Sequence, residues 1–572
     1  MRRHLWVLLP IAAYAAAACW LTAPLWSAPA GLMSADNPHD ATQFSWFLTW
    51  TPTAVAAGRL PFYTDLINAP LGVNLMWNTP MPLFGLLLSP LTATLGAAWV
   101  VTLLTALGPF LSATSGMLAA RTLGAARVPA ALGGLLYGFS PAMTAKSLGH
   151  VNLLMQPLLP ILLVLGVRLA LGDGPRRRQA VLLGVLSACQ LLINEELLLL
   201  TGFVLGLVLV VVALSRRDQA LPRLRSATRP YLLALGVFAV LAGPLLSFQV
   251  FGPRSGTGSP FSVGYYKADL MSYVVPSRLQ YFAGPGAERR AEAFTGGISE
   301  QTAYLGWPLL ALAAAALICC GRDLRVRATL VPAAVLAFCA LGPELAVDGR
   351  DTGVVLPWAL VGKIPLVENA LASRLPLMTD LVLAAGLCFA ADFLLRRRRR
   401  IGLAAVGVWA LALLPVVPAP LRVTPIPETP AFFTSPAVRT LPDARRADSG
   451  SVLVLPYPTG TETRPMRWQV DAGMTFRMPG GFFIGPADDG RLYIGGQPRP
   501  TQRVLVSIAG TGEVPVVTEQ LRAQARNDLV FWQTRVIVLG PAEHRDQLAT
   551  FVTDVVRRPP EVSGGVLIWR LQ

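Results

Sequence analysis

Two aspartates near the N-terminus, Asp36 and Asp40, stand directly ahead of a segment rich in aromatic residues. Gln43, Trp46 and Trp50 follow at spacings that put them on one face of a helix. A carboxylate beside aromatic side chains can act as a general base toward a hydroxyl group. Either aspartate could instead cap the start of that helix, and Asp40 is well placed to do so. The residues alone leave the catalytic and the structural interpretation open.

Further candidates for contact with a bound substrate are polar residues at the ends of apolar segments. Glu195 and Glu196 separate two apolar runs, and adjacent charges at such a position are costly unless they are functional or paired. The alternative is a turn exposed to water. His150 and Asn152 open another apolar run. His150 could donate a hydrogen bond to a phosphate or a hydroxyl group, and a plain polar cluster at a helix start is the alternative.

Two arginines could bind an anionic group at the same boundary. Arg278 lies in a long polar stretch, and Arg374 directly precedes an apolar run. A guanidinium matches the geometry of a phosphate with two parallel hydrogen bonds. The alternative is that each side chain only extends its charge to the surface of a membrane.

Common catalytic motifs are missing from the sequence. It contains no phosphate-binding Gly-x4-Gly-Lys-[Ser/Thr], no Gly-x-Ser-x-Gly, no His-Glu-x-x-His and no cysteine pairs at zinc spacing. A nucleotide-driven pump and the common hydrolases lose most of their support. The sequence indicates no cofactor and no metal ligands, and it leaves a divalent ion open.

The composition defines the class of protein that carries these residues. The chain has 572 residues, of which 53% are hydrophobic and 14% are charged, whereas soluble domains carry about 25% charged residues. A water-soluble globule of this size would lack the polar surface to cover itself. The net charge of +16 does not indicate nucleic acid binding, because the basic residues are not clustered on a soluble face. We therefore expect a polytopic α-helical membrane protein.

Apolar runs of about the length needed to cross a bilayer predict the membrane spans. Eleven runs are predicted, at about 5–26, 98–120, 128–145, 151–170, 179–194, 197–214, 231–250, 303–320, 328–345, 376–395 and 401–417. The first is interpreted as a retained signal anchor. Arginine runs such as Arg176–Arg178 and Arg396–Arg400 then lie in the cytoplasm, which agrees with the positive-inside rule. We expect a multi-pass protein of the cell membrane with a cytoplasmic N-terminus.

The loops and the tail complete the predicted organisation. Residues 1–419 form the membrane domain, with large outer loops at 27–97, 251–302 and 346–375. Residues 420–572 open with a proline-rich linker and then alternate short β-runs, at 451–455, 535–539 and 565–571, with helical stretches. We expect them to form an extracytoplasmic α/β domain.

The first outer loop resembles that of a known superfamily. Its run Asp40-x-x-Gln43-x-x-Trp46-x-x-x-Trp50 is similar to membrane glycosyltransferases of the GT-C superfamily. The segments 61–65 and 68–79 are similar to an actinobacterial branch of these proteins. The resemblance implies an enzyme with a GT-C-like fold of about 11 transmembrane helices. It would transfer a sugar, with inversion, from a polyprenyl-phosphate donor to a glycan, lipid or protein acceptor of the cell envelope.

The resemblance also implies roles for residues. Asp40 would be the general base, with Asp36 as the second candidate, and Arg374 and Arg278 would bind the donor phosphate. The remaining substrate-binding candidates are Gln43, Asp65, His150, Asn152, Glu195 and Glu196. The implied partners are the lipid-linked donor, the acceptor and membrane lipid, without nucleic acid. The alternative is a non-catalytic transporter or scaffold for lipid-linked glycans, which should place more ionisable residues deep within its spans.

Overall fold

A computed structural model describes residues 2–172, 176–262, 264–364, 367–446 and 448–571. The chain forms two compact units. The first contains residues 1–38, 101–244 and 261–424, and the second contains residues 39–100, 245–260 and 425–572.

Helices dominate the described residues. They are α1 (Arg2–Thr22), α2 (Pro38–Ala56), α3 (Pro82–Leu87), α4 (Ser89–Leu95), α5 (Ala97–Thr122), α6 (Arg127–Gly138), α7 (Pro141–Lys146), α8 (Val151–Leu154), α9 (Leu159–Leu171), α10 (Arg176–Leu191), α11 (Glu195–Ser215), α12 (Arg217–Phe251), α13 (Pro285–Glu292), α14 (Gly306–Cys320), α15 (Leu324–Ala340), α16 (Trp358–Val361), α17 (Leu375–Arg397), α18 (Arg399–Ala412), α19 (Ala431–Thr434), α20 (Arg464–Asp471), α21 (Pro500–Thr511), α22 (Glu519–Phe531) and α23 (Arg545–Val556).

The strands are short. They are β1 (Leu32–Ser34), β2 (Tyr63–Thr64), β3 (Val73–Asn74), β4 (Glu344–Val347), β5 (Arg350–Val355), β6 (Val423–Pro425), β7 (Ser451–Leu455), β8 (Ile484–Pro486), β9 (Leu492–Ile494), β10 (Thr534–Leu539), β11 (Glu561–Ser563) and β12 (Val566–Arg570).

Six helices among the described residues are long and apolar enough to cross a membrane. They are Val7–Ser27, Ala97–Thr122, Glu195–Ser215, Arg217–Phe251, Ala372–Arg397 and Arg399–Val416. Two shorter apolar helices, Leu159–Leu171 and Gly306–Cys320, add to them. The expectation of a helical membrane protein is confirmed. The count of eleven spans stays a prediction.

Two of the predicted spans are interrupted in the structure. Where one helix was expected over 128–145, α6 ends at Gly138 and α7 begins at Pro141. The hydroxyl of Ser140 caps the new helix by accepting a hydrogen bond from the Met143 N–H at 3.3 Å. Proline at a first helical position favours such a restart, because it has no N–H to leave unpaired. The span expected over 151–170 is likewise divided into α8 and α9.

The core of the first unit is built around α17. Most of its residues are buried, and it packs against α6, α15 and α18. A Cβ atom at Gly133 would lie 2.3 Å from the sulfur of Cys388, so the close approach of α6 to α17 requires glycine there. This packing holds the N-terminal end of α17, which directly follows Arg374, at a defined position.

The second unit contains a four-stranded sheet in the order β11-β12-β10-β7. The central strand β10 runs parallel to β7 and antiparallel to β12, with Ile537 opposite both Leu453 and Trp569. The strands predicted near 451–455, 535–539 and 565–571 are therefore present. The helix α2, except for Pro38, also belongs to this unit.

Gln469 ties separate segments of the second unit together. Its side chain is fully buried; Oε1 accepts a hydrogen bond from the Trp46 indole at 2.7 Å, and Nε2 donates to the carbonyls of Leu66 and Phe476 at 3.0 and 2.7 Å. We expect Gln469→Leu to lower the free energy of unfolding by about 2 kcal/mol, because the Trp46 indole and the Phe476 carbonyl lose this hydrogen-bond partner. Unfolding in detergent would measure this. Gln502→Leu on α21 is the control, and an equal effect of both variants would contradict the prediction.

Candidate functional site

A buried carboxylate, Glu300, lies at the centre of a charged cluster in the first unit. It ends a short 3-10 turn, Ile298–Glu300, and is 5% exposed. Its Oε2 lies 2.7 Å from the Nζ of Lys146, and its Oε1 lies 3.4 Å from the guanidinium of Arg374 and 4.0 Å from Nε2 of His150. We call Lys146, His150, Glu196, Glu300 and Arg374 the Glu300 cluster.

The positive neighbours control the charge of Glu300. Burial by itself raises the pKa of this carboxyl group, but the charges of Lys146, Arg374 and His150 outweigh that effect. The pKa of Glu300 therefore lies well below its ordinary value of 4.5. The group stays ionised at physiological pH.

Arg374 connects Glu300 to the start of α11. The arginine ends the 3-10 turn Ala372–Arg374, and its guanidinium donates a hydrogen bond to Glu196. Glu196 also accepts a hydrogen bond from the Leu371 N–H at 3.0 Å, and Asn194 caps the same helix by accepting from the Leu197 N–H at 2.9 Å. The carboxylate of Glu196 is thus an ion-pair partner and not only part of an exposed turn.

Lys146 reaches the cluster from the C-terminal end of α7. The side chain is fully buried, and its Nζ donates to the Ser299 carbonyl at 2.8 Å in addition to its contact with Glu300. The two cations Lys146 and Arg374 equal in number the two carboxylates of Glu196 and Glu300. A buried charged group is tolerated when it is paired and hydrogen-bonded in this way.

His150 connects the cluster to the segment that directly precedes α2. Nδ1 of His150 lies 3.4 Å from the side-chain nitrogen of Asn37. The residue before it, Asp36, accepts a hydrogen bond from Arg278 at 2.6 Å, and its side chain is 9% exposed. Arg278 also lies 3.5 Å from Glu292, and its Nε is buried without a partner among the described residues. The Asp36–Arg278 pair thus adjoins the Glu300 cluster through the neighbouring residue Asn37. We call the pair, Asn37 and the Glu300 cluster together the polar network.

The structure brings together many of the residues predicted from the sequence. Asp36, His150, Glu196, Arg278 and Arg374 belong to this network. Two others adjoin it along the chain. Asn152 lies on α8, buried, with a side-chain oxygen that has no partner among the described residues, and Glu195 precedes Glu196 at the start of α11.

The other predicted residues lie in the second unit. Asp40 is in the first turn of α2, where its charge favours the helix start. Gln43 donates a hydrogen bond to the Phe482 carbonyl at 2.9 Å. Asp65 accepts one from Arg477 at 2.8 Å and lies 3.5 Å from Arg59. Gln43 and Asp65 thus have partners within that unit.

Sequence reasoning missed Lys146 and Glu300. A usable signal was present, since Lys146 is one of three lysines in a chain whose basic residues are otherwise arginine. No comparable signal marked Glu300 among the acidic residues of its loop. Among the described residues, no group of three or more His, Cys, Asp or Glu side chains is arranged to hold a metal ion.

The fold is similar to that of a solved arabinofuranosyltransferase. A mutant of the arabinofuranosyltransferase AftD from Mycobacteria matches with a TM-score of 0.52 and 15% sequence identity, over 94% of this chain and 37% of that chain. This chain thus spans a little over a third of the length of AftD. The AftD match supports the expected helical membrane fold, while the eleven spans and the separate C-terminal domain stay predictions.

Two further solved structures resemble the chain more weakly. The apo form of an oligosaccharyltransferase from Archaeoglobus fulgidus has a TM-score of 0.48 and 11% identity, over 93% of this chain and 69% of that chain. The apo state of ArnT from Cupriavidus metallidurans has a TM-score of 0.43 and 12% identity, over 99% and 98% of the two chains.

A family model described as a domain of unknown function, DUF6311, matches residues 8–367. The match covers more than half of the 572 residues, so the chain belongs to the DUF6311 family. No curated protein matches the sequence.

Proposed function

We propose that the chain is an inverting membrane glycosyltransferase. It takes a sugar from a polyprenyl-phosphate donor on the outer face of the membrane and transfers it to a cell-envelope glycan, lipid or protein. One observation carries the proposal, namely the polar network, in which Asp36 is paired with Arg278 and the adjacent Asn37 contacts His150 of the cluster that holds Lys146 and Arg374. A carboxylate and several cations in one network match the needs of a reaction with a proton to accept and a phosphate to release.

The network favours Asp36 over Asp40 as the general base. Asp36 is largely buried and oriented by Arg278, whereas Asp40 lies in the first turn of α2. In the reaction, Asp36 accepts the proton of the acceptor hydroxyl. The acceptor oxygen attacks the anomeric carbon as the bond from that carbon to the phosphate oxygen breaks. The polyprenyl phosphate leaves with the electron pair, and the anomeric configuration is inverted.

The cations would stabilise the departing phosphate. Arg278 and Arg374 offer guanidinium donors at two points of the network, and Lys146 adds a third positive charge. Glu196 and Glu300 hold the guanidinium of Arg374 in place. Groups held in this way need little reorganisation as negative charge develops on the leaving group.

The proposed activity can be tested with the purified protein in proteoliposomes. Labelled polyprenyl-phosphate sugars, with mannose and arabinose as first choices, are supplied with envelope glycan acceptors. We expect release of polyprenyl phosphate and labelled product, and no transfer from the corresponding nucleotide sugars. Binding of the lipid-linked sugars without any transfer would favour a scaffold or transporter instead.

The role of Arg278 gives a separate prediction. We expect Arg278→Gln to raise the KM for the donor about tenfold, because a charge-assisted hydrogen bond to phosphate contributes about 1.5–3 kcal/mol. Initial rates over a series of donor concentrations would measure this. Arg289→Gln, at an exposed arginine on α13, is the matched control. An unchanged KM in the Arg278 variant would show that Arg278 does not bind the donor.

A further inference from the structure

A groove lies at one end of the four-stranded sheet in the second unit. Its volume is about 530 Å³, which is within the range of about 300–1,000 Å³ typical of ligand pockets. Four arginines line it, Arg526, Arg535, Arg558 and Arg570, together with Thr534 and aliphatic side chains of α22 and α23. We call this the arginine groove.

Separate segments bring these arginines together. Arg535 is the second residue of β10, and its carbonyl accepts a hydrogen bond from the Leu571 N–H at 2.8 Å. Arg570 ends β12, opposite Val536 of β10. Arg526 lies on α22, and Arg558 follows the end of α23. The convergence is therefore a product of the fold and not of one basic run in the sequence.

The groove has an excess of positive charge. Within residues 448–571, Arg526, Arg535 and Arg558 form no ion pair, and Arg570 is 3.4 Å from the exposed Glu561. Like charges that converge repel one another unless an anion lies between them. Thr534 lines the same groove and is 7% exposed, and its hydroxyl has no hydrogen-bond partner among the described residues. These features point to a ligand with oxyanion groups.

The shape and the other lining residues narrow the class of ligand. Leu529, Val530 and Val555 provide apolar wall, and Gln533 provides amide donors and acceptors. Guanidinium groups bind carboxylates and phosphates, amides and hydroxyls bind sugar hydroxyls, and apolar walls pack against the C–H face of a sugar ring.

We propose that the arginine groove binds an acidic saccharide, a sugar unit that carries a carboxylate or a phosphate. The site is distinct from the Glu300 cluster and does not depend on the proposed transfer reaction. It would let the second unit hold a negatively charged glycan.

Binding to the full chain in detergent tests this inference. Oligogalacturonate is the carboxylated probe, a mannose phosphate is the phosphorylated probe, and maltohexaose is the neutral comparison. We expect saturable binding of at least one acidic probe, which weakens at high salt, and none of maltohexaose. Arg535→Ser/Arg558→Ser is expected to weaken that binding at least tenfold. Arg503→Ser, at an exposed arginine of α21 outside the groove, should change it less than twofold.

Several outcomes would overturn the inference. The first is that Arg535→Ser/Arg558→Ser, the groove variant, binds the acidic probes as tightly as the control Arg503→Ser. The second is that acidic and neutral saccharides bind equally well, and the third is that neither acidic probe binds. Binding of phosphatidylglycerol vesicles that is lost in the groove variant, without binding of the saccharides, would assign the groove to a membrane surface instead. None of these results depends on transfer activity, so failure here and failure of the proposed glycosyltransferase are distinguishable.

Discussion

Replacing Asp36 with Asn is expected to lower the rate of sugar transfer by about 10²- to 10⁴-fold, the usual contribution of a positioned general base. The amide keeps the shape of the side chain and can still contact Arg278, but it cannot accept the proton of the acceptor hydroxyl. Because the chemical step is affected, the loss should appear in kcat and not in the KM for the donor. Initial rates with a polyprenyl-phosphate sugar would measure both.

Asp40→Asn is the matched control, since it makes the same change four positions later in the first turn of α2. We expect it to alter the rate only slightly and to weaken the helix start by less than about 1 kcal/mol. Full activity of Asp36→Asn with loss of activity in Asp40→Asn would move the general base to Asp40. Full activity of both variants would show that neither Asp36 nor Asp40 is the general base. Thermal unfolding of each variant separates loss of catalysis from loss of folding.

Replacing Glu300 with Gln is expected to lower the free energy of unfolding by about 3–5 kcal/mol, as removal of one member of a buried ion pair does. The variant leaves Lys146 and Arg374 with Glu196 as the remaining carboxylate, so one buried positive charge is not balanced. Denaturation in detergent would measure the loss. Glu292→Gln is the control, because Glu292 is 58% exposed and lies 3.5 Å from Arg278; exposed pairs contribute about 0–1 kcal/mol.

A second variant shows whether charge balance is the cause. Lys146→Met/Glu300→Gln removes one charge of each sign and leaves Arg374 paired with Glu196. We expect the double variant to be more stable than Glu300→Gln alone. A double variant whose loss equals the sum of the two single losses would show that Lys146 and Glu300 do not interact energetically.

The Glu300 contribution also has a defined pH dependence. Since the folded protein holds the pKa of Glu300 well below 4.5, its stabilising effect is fully present above that value. The effect is lost as the pH falls below 4.5 toward the lowered pKa. We therefore expect the stability difference between the wild type and Glu300→Gln to be constant near neutral pH and to shrink in acid. A difference that grew on acidification would contradict this.

The sequence by itself determined the class of protein and much of the helical pattern. Apolar runs such as 197–214 are long and apolar enough to cross a membrane, where a helix satisfies its own backbone hydrogen bonds. The charged and polar residues near the ends of these runs could also be recognised in the sequence. Arg374 and Glu196 were predicted as candidates from their type and from their position beside apolar segments alone.

Tertiary structure decided which of these residues meet. Asp36 and Arg278 are 242 positions apart, and no spacing in the sequence links them. The sequence indicated Asp40 as the first candidate for the general base, and only the folded chain shows that Asp36 is paired with Arg278. The ion pair of Lys146 and Glu300 was recognised only in the folded chain. Local patterns report the helix or strand that a segment prefers, while a charge inside the protein is stable only beside an opposite charge that packing of distant segments supplies.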